Sequence, residues 1–218
     1  AGAACSPGAS HRTTVEVGAS AMAVLTVTVA DTCPTPPPRG AAAWSVWIDG
    51  VRGHEVLVFP AIGPGRYDTL AGPLAEGRHA IELRPASAWE PPACLAIERL
   101  DTAVHAAGTP AHELYRRAPV LELRADTIGE DTDLPLYAFA ERVPADAGAA
   151  WRYSVVFSNE DGGTPTRALF ARWGRTTDIE QVYEVRTSGG RVVGEPRRRE
   201  PGRPGALPRA AALGERRA

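Results

Sequence analysis

Hydrophobic and polar residues alternate through much of the first hundred positions. Thr13-Thr14-Val15-Glu16-Val17, Trp44-Ser45-Val46-Trp47-Ile48 and Arg78–Arg84 (RHAIELR) each repeat an apolar residue at every second place. That spacing sends the apolar side chains to one face of a strand. Ala21–Val29 (AMAVLTVTV), His54–Phe59 (HEVLVF), Arg66–Leu70 (RYDTL) and Cys94–Leu100 (CLAIERL) are further runs rich in β-branched and aromatic residues. Turn chemistry separates them: Asp49-Gly50 reads as a tight hairpin, and Gly63-Pro64-Gly65 and Pro73–Gly77 break the chain. Pro34–Gly40 (PTPPPRG) cannot be a central strand, because proline removes ladder donors. Six or seven short strands with turns at ~8–12-residue spacing predict a β-sandwich over about residues 12–102.

The pattern lapses over residues 103–114, read as a linker, where His112–Arg117 (HELYRR) offers one helical turn. It resumes over 115–193 as a second β unit. Pro119–Arg124 (PVLELR) reads as a strand, and Leu134–Arg142 (LPLYAFAER) as another that Pro135 assigns to a sheet edge. Trp151–Phe157 carries the strongest strand signal. It runs into a turn at Asn159-Glu160-Asp161-Gly162-Gly163, from which Arg167–Trp173 is expected to return as the partner strand. Ile179–Val185 alternates again, Ser188-Gly189-Gly190 closes it, and Arg191–Val193 is a last brief run. From Gly194 the chain is rich in Arg, Pro and Gly and poor in large apolar residues, so residues 194–218 are expected to be a disordered tail. The fold class expected is all-β.

Composition narrows the function classes. With 218 residues and a net charge of −2, bulk electrostatic binding of nucleic acid or of an anionic membrane is not expected. No apolar run approaches the ~18–20 residues that span a bilayer. Residues 1–11 read as a flexible leader, and Ala-Gly-Ala-Ala before Cys5 resembles the small-residue end of a signal peptide. In an oxidising compartment two of the three cysteines can pair. Cys33 and Cys94 bracket the sandwich and are the preferred pair. An extracellular, periplasmic or cell-surface setting follows from that reading.

The local order Tyr67…Gly72-Pro73-Leu74…Gly77-Arg78-His79 resembles the late hairpin of immunoglobulin-like and fibronectin type III-like modules. The resemblance covers about residues 12–102 and implies a sandwich fold but no activity. The stretch FSNEDGGTPT…RWGRTTDIE…VY resembles segments of uncharacterised exported bacterial proteins, which implies a setting and no chemistry.

Candidate chemistry gathers around the Trp151–Val185 stretch. Glu160, Asp161, Arg172, Trp173, Arg175, Asp178 and Glu180 are the expected ligand surface, for a glycan or a protein. On a strand Asp178 and Glu180 share a face, so a carboxylate pair drawn from Glu160, Asp161, Asp178 and Glu180 supports a rival reading as a polysaccharide hydrolase, with Trp173 stacking a sugar. The competing structural reading pairs these acids with Arg172 and Arg175 across strands. Asp126, Glu130, Asp131 and Asp133, with Asn159, Glu160 and Asp161, are oxygen donors that Ca²⁺ accepts, but the EF-hand spacing is missing. No cofactor is called for. No nucleophile elbow, zinc-binding histidine pair or phosphate loop is present. Trp44 and Trp47, three apart on one strand, must face opposite sides, one to the core and one to the surface. These readings converge on a non-catalytic exported binding or structural module.

Overall fold

The computed structural model describes residues 10–35, 41–60, 63–87, 90–121, 135–145, 148–157, 171, 177–189 and 191–193. The fold is all-β, with one short helix among the described residues. The chain divides into two compact units, Ala1–Arg116 and Arg117–Ala218.

The first unit holds β1 (His11–Val17), β2 (Ala21–Asp31), β3 (Ala42–Ile48), β4 (Val51–Val58), β5 (Gly65–Leu74), β6 (Gly77–Pro85), β7 (Leu95–Ala106) and helix α1 (Pro110–Arg116). Its strands form two antiparallel sheets, ordered β1-β6-β3-β4 and β5-β2-β7. Alternation decides the core. Ala23, Leu25, Val27 and Val29 point inward from β2, Trp44 and Val46 from β3, Ile81 and Leu83 from β6, and Leu95 and Ile97 from β7, in one cluster fed by both sheets. Trp44 is in that core, while Trp47, three residues on, lies under the Arg84 guanidinium at 4.0 Å on the outer face.

Asp49 and Gly50 both take positive φ (50° and 80°) and turn β3 into β4 in two residues, as the Asp-Gly pair requires. The Asp49 carboxylate accepts from the Ala80 amide at 2.9 Å and meets His79 Nδ1 at 2.7 Å; His79 Nε2 lies 3.0 Å from the Ala75 carbonyl. Cys33 and Cys94 are joined as a disulfide, and the Thr32 amide donates to the Cys94 carbonyl beside it.

The immunoglobulin-like resemblance holds only as far as a two-sheet sandwich. In the immunoglobulin order the first two strands are hydrogen-bonded neighbours; here β1 pairs with β6, and β2 lies between β5 and β7. The Gly72-Pro73-Leu74…Gly77-Arg78-His79 stretch is accordingly a corner between two sheets and not a hairpin. Part of the stretch read as a linker is regular structure. β7 continues to Ala106, and Thr109 caps α1, its Oγ1 accepting from the His112 amide with Pro110 at the first helical position. The signal was the Thr-Pro pair, and tertiary packing supplies what so short a helix lacks alone.

The second unit, among the described residues, is one antiparallel sheet: β8 (Pro135–Ala145), β9 (Gly148–Phe157), β10 (Asp178–Ser188) and β11 (Arg191–Val192), ordered β11-β10-β9-β8. Among the described strands β8 lies at the edge, the position to which Pro135 assigned it. β9 pairs with β8 and β10. The expected return strand, Arg167–Trp173, lies outside the described residues except for Ala171. So do the tail after Gly194 and most of Pro119–Arg124.

Candidate functional site

Register sets the open face of the second sheet. Pro135 is opposite Phe157, but Tyr137 is opposite Val156, so the intervening Leu136 is an extra residue that resets the alternation of β8. Four cross-strand rows then share one face of β8, β9 and β10: Tyr137–Val156–Ile179, Phe139–Ser154–Gln181, Glu141–Arg152–Glu184 and Val143–Ala150–Arg186. The seven residues Tyr137–Val143 of β8 make this face about 20 Å long.

One end is apolar and open. Tyr137 is 65% exposed and Ile179 46%, and the Tyr137 and Phe139 rings stack with centroids 6.3 Å apart and planes 24° from parallel. The other end is charged. Arg152 Nε donates to Glu184 Oε2 at 2.9 Å, and Arg186 Nε donates to Glu184 Oε1 at 3.2 Å. Glu184 is buried, whereas both arginine side chains are more than two-fifths exposed. The hydrogen bond from Arg152, joined by that from Arg186, outweighs burial and holds Glu184 below the usual carboxylate range. A groove of about 170 Å³ runs beside the three, walled on its apolar side by Val143, Pro144 and Ala150.

The opposite face is the more buried along β9, although Ala138 and Arg142 of β8 are exposed on it. Phe157, Val155, Tyr153 and Val185 are buried there. Asp178 and Glu180 stand on this face, opposite Phe157 and Val155, so the two acids share a face as the strand period requires. Asp178 is buried, Glu180 half-buried, and neither is free of a partner. The pair therefore does not lie on the face that carries exposed Tyr137. Glu160, Asp161, Arg172, Trp173 and Arg175 lie outside the described residues, as do Asp126, Glu130, Asp131, Asp133 and Asn159 of the cation reading. Among the described residues no group of three His, Cys, Asp or Glu is placed to hold a metal.

The sequence reading passed over Tyr137 and Phe139, although their i, i+2 spacing between Ala138 and Ala140 marks them as one face of an edge strand. The Arg152–Glu184–Arg186 cluster had no sequence signal. It exists only through the register of β9 on β10, including the irregularity between Gln181 and Tyr183 that shifts Glu184 onto the open face.

No protein-family model matches the chain, and no curated protein matches it. Among solved structures, the CBM35 module from Cellvibrio japonicus Abf62 is 16% identical, with a TM-score of 0.32 over 46% of this chain and 73% of that one. Xyl-CBM35, in complex with a glucuronic acid containing disaccharide, is 15% identical, with a TM-score of 0.31 over 47% of this chain and 75% of its own. Scores this low assign neither a family nor a ligand.

Proposed function

We propose that the chain is an exported, non-catalytic binding module whose ligand surface is the open face of the second sheet, and that the ligand is a glycan chain. The observation that carries this is the exposed Tyr137 ring, stacked on the half-buried Phe139 on a strand at the edge of the described sheet, with exposed Ile179 in the Tyr137 row. Large apolar side chains held in the open lose hydration energy that a partner recovers, and flat aromatic faces suit the apolar faces of sugar rings. The Cys33–Cys94 disulfide supports an oxidising compartment. β9 ends at Phe157 and β10 begins at Asp178, so the chain bearing Glu160, Asp161, Arg172, Trp173 and Arg175 leaves and re-enters the sheet at the Tyr137 end. Those five residues are proposed to flank the same surface.

The test is affinity electrophoresis through gels containing each of a panel of soluble polysaccharides. Retardation by at least one, lost in Tyr137→Ala with the fold intact by circular dichroism, supports the reading; retardation by none sinks it. The rival reading, hydrolysis by a carboxylate pair, has the shared face of Asp178 and Glu180 in its favour. It requires new reducing ends from the same panel, abolished in Asp178→Asn.

A further inference from the structure

The charged end of this face has a geometry that a structural ion pair does not need. One carboxylate would be neutralised by one arginine, yet Glu184 holds two, and each reaches it through Nε. A guanidinium has five N–H donors in a fixed plane. Spending Nε on Glu184 fixes the plane of each group and leaves the terminal nitrogens of Arg152 and Arg186 for another acceptor. Both arginines are substantially exposed and wall the groove, while Glu184 is buried behind them.

We propose that Arg152 and Arg186, set side by side by Glu184, receive an oxyanion (carboxylate, sulfate or phosphate) carried by the ligand, so that the glycan bound here is acidic. This rests on the reading of this face as the ligand surface. Glu184 is a positioning residue: it aims the arginines and offsets one of their two charges. Glu141, exposed on β8, is opposite Arg152 in register, so the row Glu141–Arg152–Glu184 carries one positive and two negative charges. Arg186 lies in the next row, beside Ala150 and Val143. The oxyanion therefore sits toward Arg186. The groove is smaller than the several hundred cubic ångströms of a drug-sized site, which suits one charged substituent while the rest of the chain lies along the open sheet.

Two titrations of the full chain test this. In the first, inorganic sulfate is added at low ionic strength and the Nε–Hε signals of Arg152 and Arg186 are followed by NMR. A saturable shift of both signals is expected, absent in Arg186→Gln and strengthened in Glu141→Gln; no shift overturns the proposal. In the second, an acidic polysaccharide is compared with its carboxyl-reduced, neutral form. The acidic form is expected to bind about tenfold more tightly, since a hydrogen bond to a charged group contributes roughly that much. Arg186→Gln should erase the difference, and Tyr137→Ala should weaken both. Equal binding of the two forms overturns the proposal and leaves the glycan surface standing. Sulfate binding without any polysaccharide binding does the reverse: it keeps the oxyanion site and removes the glycan surface.

Discussion

In the first unit, both sheets turn a face toward the same core. Leu25, Ile81 and Leu83 show no exposure, and a disulfide locks residues 33 and 94. The described sheet of the second unit buries Phe157, Val155, Tyr153 and Val185 on one face, and on the other leaves Tyr137 and Ile179 exposed beside buried Ala150, Ser154 and Glu184. Its buried residues include Ser154, Asp178 and Glu184, where the first unit buries Ser45 alone among the polar strand residues. Large apolar side chains left exposed on a sheet face keep a surplus for a partner. On the proposed reading, the first unit is organised for stability and the second for display.

The strongest way to break this contrast is to open the disulfide. It closes a loop of 61 residues, so its loss is expected to cost about 4 kcal/mol by the chain-entropy relation. Chemical denaturation of Cys33→Ser/Cys94→Ser, read against the parent, checks this. Little change would mean the core of the first unit suffices without the link. The matching lesion in the second unit is Gly148→Ala. Gly148 has φ 141°, and a Cβ there would lie 2.2 Å from the Thr187 carbonyl oxygen, so the β8–β9 corner must shift against β10. A loss of about 2–3 kcal/mol is expected, as for other substitutions at incompatible backbone positions, with polysaccharide retardation falling alongside.

Display residues should behave otherwise. Tyr137→Ala is expected to change stability by less than about 0.5 kcal/mol, as for an exposed side chain, while removing ligand retardation; thermal melts beside affinity gels separate the two effects.

The smallest effect is a pH slope with a worked sign. The hydrogen bonds from His79 to Asp49 and to the Ala75 carbonyl raise the His79 pKa, and the His79 contact, then the Ala80 amide, lowers that of Asp49. The His79 contribution is complete below the unfolded histidine value and is lost as pH rises through the raised one. The Asp49 contribution is present above the unfolded aspartate value and is lost as pH falls through the lowered one. The clasp is therefore strongest at weakly acidic pH. His54 has the opposite sense: burial lowers its pKa, so its contribution is lost as pH falls. Titration of the two ring C–H signals by NMR should place His79 above and His54 below the ordinary histidine value.

Much of the first unit was legible because its strands alternate and its turns carry their own chemistry: Asp49-Gly50 for the hairpin, the Gly-Pro signals between β4 and β6. The sheet order was not, since Gly72–His79 reads alike whether it turns a hairpin or a corner; which strand β1 pairs with is a long-range choice. In the second unit, Pro135 gave the edge and Ser188-Gly189 the last hairpin. The open face was hidden by one inserted residue at Leu136 and one irregularity after Gln181, each of which inverts the alternation beyond it. Asp178 and Glu180 were rightly placed together, but periodicity alone could not say which face was covered.

The most direct test of the display surface is an NMR chemical-shift map of the full chain bound to the polysaccharide that retards it most. Perturbations concentrated at Tyr137, Phe139, Ser154, Val156, Ile179 and Gln181 are the expected result. A map concentrated on the first unit, or on the Asp178 and Glu180 face with these six unmoved, would contradict the assignment of the open sheet as the binding surface.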